Sequence, residues 1–233
     1  MQETELIVLY QDNHLIAVYK PPGLLTQADQ SGDPNLLDIV KAWLARTYAK
    51  PGRVYLGLLH RLDRQVAGVV VFARTSKAAA RVSRLFRERR VEKIYRAELE
   101  GRVQLPSGRL EHYYPALANA APPFELRAAP SSENDKRARL SYRTLWTTGQ
   151  SSVVEIELET GRKHQIRAQF AAIGHPIAGD RRYRSQRRFA PAGIGLVAVR
   201  IAFEHPITKQ PLTIELPETL CPIQSAPTEV REA

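Results

Sequence analysis

A single cysteine, Cys221, stands in the 233 residues. A disulfide framework within the chain is therefore excluded, as is a zinc site built on several thiolates. No apolar run approaches the ~20 residues that a membrane-spanning helix needs. The opening MQETELIVLY lacks a basic stretch and a small-residue cleavage site, so no signal peptide is read there. No internal repeat and no low-complexity tract occurs. His60, His164, His175 and His205 lack ligand-like spacing, so no metal is expected. The expectation is a cytoplasmic globular protein, with 43% hydrophobic residues to fill its core.

Acidic residues are also scarce: 24 Asp and Glu face 34 Lys and Arg, a net charge of +10. The pI of about 9.9 lies in the range of nucleic-acid-binding domains. The cations cluster. Arg81, Arg84, Arg87, Arg89, Arg90, Lys93 and Arg96 form one group; Arg181, Arg182, Arg184, Arg187 and Arg188 form another, interleaved with Tyr183 and Phe189. Arginine beside aromatic rings suits RNA, whose splayed bases stack on both kinds of plane.

The first thirty residues predict a hairpin, LIVLY and LIAVYK around the turn QDNH, closed by KPPG. An amphipathic helix follows in LLDIVKAWLARTYA, with Leu37, Val40, Trp43 and Leu44 on one face. A second helix starts at Thr75 or Ser76, with Val82, Leu85 and Phe86 inward. The strand VEKIYRAELEG puts Lys93 and Tyr95 on one side. Residues 103 to 137 are irregular, read as a hairpin or excursion. Strands resume at RARLSYRTLW and SVVEIELE, then TGRKHQIRAQFAAIGHP forms a turn and a helix striped by Ile166, Phe170 and Ile173. A last hairpin joins GLVAVRIAFEHP to PLTIEL, and from Pro217 the composition suggests a loose tail. Many strands, about three helices and no regular βαβ alternation mean α+β with a mixed, mostly antiparallel sheet flanked by helices and loops.

The chemistry concentrates in LLHRLDR, between two apolar runs that read as buried strands. Asp63 lies between Arg61 and Arg64, and a carboxylate flanked by cations is held in its charged form. Such a charge at the mouth of a buried sheet needs a partner or a task. A turn-capping aspartate is the plainer alternative. The kinase HRD loop does not fit, because the extra leucine breaks its spacing and no Gly-rich phosphate loop precedes it. Tyr95 is either core packing or a ring for a base. Arg167 falls at the edge of the buried helical stripe, where a half-buried arginine wants an anion; Asp63 is the candidate. Gly161 is expected to allow close approach or positive φ, and Thr160 to cap the helix.

These segments resemble, in order, the motifs of the RluA-type pseudouridine synthases. LYQDNHLIAVYKPPGLLT is similar to the opening hairpin with Lys20, Pro21 and Gly23. LLHRLDR is similar to the catalytic motif with His60, Arg61 and Asp63. EKIYRAELEG matches the Lys-x-Tyr strand, and ETGRKHQIRAQFAAIGHPIAGDRRY matches the TGR-x-HQ-[IL]-R segment and its HPI-x-GD continuation. The resemblance covers roughly residues 5 to 216 and is closest to compact members without an S4 domain. It implies a catalytic domain over 1–216, a flexible tail over 217–233, and isomerisation of a specific uridine in rRNA or tRNA without a cofactor. Asp63, Tyr95 and Arg167 would be catalytic; Lys20, His60, Arg61, Lys93, Arg162, His164 and Gln165 would bind substrate. RNA is the implied partner, with no membrane, no protein partner and a monomeric state. Two departures stand out: Val66, Ala67 and Gly68 where the family commonly has Thr-Ser-Gly, and Leu196, Val197 and Ala198 where it often has Leu-His-Ala. The first motivates an alternative, an RNA-binding protein without catalysis. A carboxylate-dependent hydrolase would need a second catalytic carboxylate, and none is evident beside Asp63.

Overall fold

The computed structural model describes residues 6–49, 52–116, 121–190 and 192–225. The elements run β1 (Val8–Gln11), β2 (Leu15–Lys20), α1 (Leu36–Thr47), β3 (Gly57–Leu58), β4 (Ala67–Ala73), α2 (Ser76–Arg87) and β5 (Glu92–Glu100). They continue with β6 (Ser107–Tyr114), β7 (Lys136–Thr147), β8 (Ser151–Leu158), α3 (Gln165–Ala172), β9 (Leu196–Glu204) and β10 (Pro211–Glu215). The class is α+β with a mostly antiparallel sheet, as expected. The chain divides into one unit of Met1–Glu92 with Ala198–Pro217 and a second of Lys93–Val197 with Glu218–Ala233.

In the first unit the strand order is β1-β2-β4-β9, with β3 on β4 and β10 on β9. The β1–β2 turn is held by Asp12, whose Oδ1 accepts from the N–H groups of His14 at 2.7 Å and Leu15 at 2.6 Å. Every residue of β4 is buried, which explains its continuous apolar run. Gly68 in β4 has φ +126, and a Cβ there would lie 2.2 Å from the carbonyl oxygen of Ala198. No side chain fits this approach, so the glycine of Val66-Ala67-Gly68 is required even where its neighbours depart from the pattern. Asn35 caps α1 and Thr75 caps α2. Leu36, not Leu37, joins Val40 and Leu44 in the core, because the helix begins at Leu36 itself. On α2, Val82 and Leu85 are buried. Two of the nearby arginines are neutralised: Arg84 lies 3.8 Å from Glu88, and Arg90 lies 3.4 Å from Glu88 and 3.7 Å from Glu204.

In the second unit β5-β8-β7-β6 form antiparallel ladders. β6 lies within the stretch expected to be irregular. It ends this ladder, and its exposed face is polar, so no apolar run betrays it. Residues 117 to 120 lie outside the described residues. α3 is buried all round from Gln165 to Phe170, not only along the expected stripe, since its polar side chains have partners. Gln169 Nε2, for instance, donates to the carbonyls of Leu110 at 3.1 Å and Ala138 at 3.3 Å. Thr160 does not cap α3. The position before the helix is His164, in the left-handed conformation expected instead of Gly161.

The loose tail expected from Pro217 is corrected over 218–225. Arg96 is buried on β5 and needs an anion. It finds Glu218, with Nη1–Oε2 2.9 Å and Nη2–Oε1 2.7 Å, and also donates to the carbonyl of Ile223 at 2.6 Å. Cys221 and Ile223 are buried beside it, while 226–233 lie outside the described residues. Replacing Arg96 by Met is expected to remove about 2 kcal/mol of local stability and to release 218–225. Hydrogen exchange reads this directly, and unchanged protection of 218–225 would contradict the anchor.

Candidate active site

The segment 60–64 connects β3 to β4, and alternate residues in it have opposite fates. Three are pinned. Val71 N–H donates to His60 Nε2 at 3.0 Å, and the imidazole stacks on Phe86 with centroids 5.4 Å apart. Leu62 is buried and clamped by Thr26, whose hydroxyl donates to the Leu62 carbonyl at 2.8 Å and accepts from its N–H at 3.2 Å. Arg64 donates from Nε to the Gly23 carbonyl at 2.9 Å and pairs with Asp33 at 2.7 Å. Between these anchors Arg61 is exposed and Asp63 half-buried. Contacts to Val71, Phe86, Thr26, Gly23 and Asp33 thus fix His60, Leu62 and Arg64 on either side of Asp63. Val66 N–H closes a turn on the Asp63 carbonyl at 3.0 Å.

Lys20, expected to bind substrate, is fully buried instead. Its Nζ donates to the carbonyls of Pro21 at 2.9 Å, Leu24 at 2.8 Å and Arg64 at 3.1 Å. It ties the KPPG loop to the HRLDR connection and acts as a positioning residue. Burial pushes its ammonium down to about 7, against the attraction of Asp63. Between this pH and the ordinary 10.5 the unfolded chain holds a proton that the folded chain releases. The lysine's contribution is thus complete above that window, and lost as pH falls through about 7. Lys20→Met leaves three carbonyls without their donor and is expected to cost about 3 kcal/mol. The deficit should be larger at high pH than at neutral pH, as urea midpoints would show. A deficit that shrinks with rising pH would mean the three carbonyls keep the proton on.

The second unit carries the other candidates. Lys93 and Tyr95 are half-buried on β5, with Tyr95 opposite Ile156 of β8. Burial lowers the Lys93 ammonium below its ordinary range. A Cβ on Gly161 would lie 3.8 Å from Lys93 Nζ, so this lysine and the TGR turn are neighbours. Gln165 is buried and organises that turn. Its Oε1 accepts from the Thr160 hydroxyl at 2.7 Å and from Arg162 N–H at 3.0 Å, and its Nε2 donates to the Arg139 carbonyl at 3.0 Å. It is a structural residue rather than an exposed substrate contact. Arg162 is exposed, donating from Nε to the Arg137 carbonyl at 3.2 Å. His164 Nδ1 lies 3.2 Å from the Tyr183 hydroxyl.

Arg167 is buried, not half-buried. Its Nε and Nη2 meet the two carboxylate oxygens of Asp180 at 2.6 and 2.9 Å, and its guanidinium sits 5.2 Å from the Tyr183 ring centroid. The flat fork and the flat carboxylate match, which orients the cation as well as pairing it. Sequence reasoning assigned roles to neither Thr26 nor Asp180. The only signal for Asp180 was the GD after HPI, and Thr26 carried none, because its partner lies 36 positions away.

Residues 14–172 match the RNA pseudouridylate synthase family. Among curated proteins, the chain is similar to the dual-specificity RNA pseudouridine synthase RluA of Escherichia coli, 32% identical over 93% of this chain and 94% of that one. It is also similar to the ribosomal large subunit pseudouridine synthase D of Zymomonas mobilis, 30% identical over 89% of this chain and 67% of that one. Among solved structures, it is similar to human RNA pseudouridylate synthase domain containing 4, with a TM-score of 0.73 and 25% identity over 91% of this chain and 88% of that one.

Proposed function

Given that the chain belongs to the RNA pseudouridylate synthase family, we propose that it isomerises a specific uridine of ribosomal or transfer RNA with Asp63 as the essential carboxylate. As a family member it is an RNA pseudouridine synthase, an isomerase acting on uridine in RNA. The observation that carries the assignment of Asp63 is the frame around it: His60, Leu62 and Arg64 are each pinned, and the carboxylate is one of two side chains between them.

In the reaction the N-glycosidic bond breaks, the uracil turns, and its C5 joins C1′. Asp63 either attacks carbon or removes a sugar proton, and both roles use the charged form. Tyr95 packs on the uracil and assists proton transfer at C5. Arg167, oriented by Asp180, is the third member of the catalytic set. The nucleotide must leave its stack for any of this to happen. Arg61 and Arg162, both exposed, are assigned to the RNA backbone, with Lys93 and His164 lining the approach. Of the two arginine clusters, the second is the stronger phosphate grip. Arg181, Arg182, Arg184 and Arg188 are exposed there and pair with no carboxylate among the described residues, whereas α2 is partly neutralised.

The test is incubation of total rRNA and tRNA, taken from cells lacking the gene, with the pure protein, followed by mapping of pseudouridine at single-nucleotide resolution. A new pseudouridine identifies both the chemistry and the target. Free uracil would indicate hydrolysis instead, and tight RNA binding without product would leave only a binding protein.

A further inference from the structure

The second unit contains a groove of about 1010 Å³ that no catalytic role above uses, bordered by Phe124, Arg127, Lys136, Arg162 and Lys163. Ligand pockets run to about 1,000 Å³, so the volume leaves the occupant to be argued from the lining. Lys136 and Lys163 are exposed, and neither pairs with a carboxylate among the described residues. Arg127 is steered by Asp135 at 3.8 Å. Phe124 is half-buried and held edge-on by Tyr114 and His164, with centroids 5.3 and 5.9 Å away. An aromatic ring fixed among cations is the arrangement that takes a base on its face and phosphates around it.

The groove is also tied to Arg167. Phe124 packs on the cluster containing Tyr183, and its N–H donates to the Tyr183 hydroxyl at 3.3 Å. That same tyrosine ring lies against the Arg167 guanidinium. An occupant resting on Phe124 is therefore one aromatic layer from a residue assigned to the chemistry.

We propose that this groove holds a single-stranded stretch of the substrate RNA flanking the target uridine, with Phe124 stacking one base and Lys136 and Lys163 contacting phosphates. The inference rests on the reading that the substrate is RNA. An acidic peptide would satisfy the cations but would leave the ring without a flat partner.

The experiment measures binding of a labelled 12-nucleotide unpaired RNA and, in parallel, of a labelled oligoglutamate peptide by fluorescence anisotropy across a salt series, for wild type, Phe124→Ala and Lys136→Gln/Lys163→Gln. Thermal midpoints are recorded for each. Phe124→Ala should weaken binding about tenfold. The double lysine variant should weaken it and make the slope of log K against log salt shallower by about 1.4, for two lost contacts to a single strand. Unchanged affinity and slope in properly folded variants would overturn the groove, as would variants that lose an acidic peptide but keep the RNA. Pseudouridine mapping with wild type is run alongside. Failure there removes the enzymatic reading, while the anisotropy data still decide the groove.

Discussion

Asp63→Asn lowers the rate of pseudouridine formation by at least roughly a thousandfold, the scale on which removal of an essential nucleophile or base is felt, and leaves the fold standing. Asparagine has the same shape and keeps polar atoms at the half-buried position, but it cannot carry the charge that either mechanism requires. The backbone of the connection is held by Thr26 on both sides of Leu62, by Val66 N–H on the Asp63 carbonyl and by Gly23 N–H on the Arg64 carbonyl at 2.8 Å. None of these bonds uses the carboxylate. Single-turnover assays should therefore show the loss in protein whose thermal midpoint matches wild type. Activity within tenfold of wild type would remove Asp63 from the mechanism.

Asp180→Ala is expected to be the most damaging single change to the stability of the second unit. Asp180 and Arg167 are both almost wholly buried. Deleting the carboxylate leaves a guanidinium inside the unit with two donors unmet, a change that costs about 3–5 kcal/mol. Replacing both partners by apolar residues of similar size, Arg167→Met with Asp180→Leu, should recover most of that stability, because neither half of the pair is left buried without the other. It should not recover pseudouridine formation. This split separates the structural part of the pair from the catalytic role proposed for Arg167. Denaturant unfolding supplies the first readout and single-turnover chemistry the second. A loss below 1 kcal/mol in Asp180→Ala would show that water or another anion reaches Arg167.

Much of the architecture is legible from local pattern. The β1–β2 hairpin, the cap of α2 at Thr75, the buried strand β4 and the β9–β10 hairpin follow from turn chemistry, capping residues and apolar period. These are properties of neighbouring residues, so a single sequence carries them. The order of motifs along the chain likewise suffices to place it among enzymes that isomerise uridine in RNA.

What the sequence could not decide involves partners far apart in the chain. HRLDR contains four residues with plausible chemistry around one apolar residue, Leu62. Only the folded structure shows that Thr26, Phe86 and Gly23 hold Leu62, His60 and Arg64 in place around Asp63. Lys20 looks like a substrate ligand in sequence; three carbonyls, one of them 44 positions away, turn it into an internal fastener. Arg96 looks like a member of a basic cluster and Arg167 like a half-buried cation in want of an anion, yet each is buried because an acid outside its own element, Glu218 or Asp180, offsets the cost of removing its charge from water. Local periodicity reports which face of an element is apolar. It holds no record of which remote group will satisfy a buried charge, and that pairing settles whether a charged residue supports the site or acts in it.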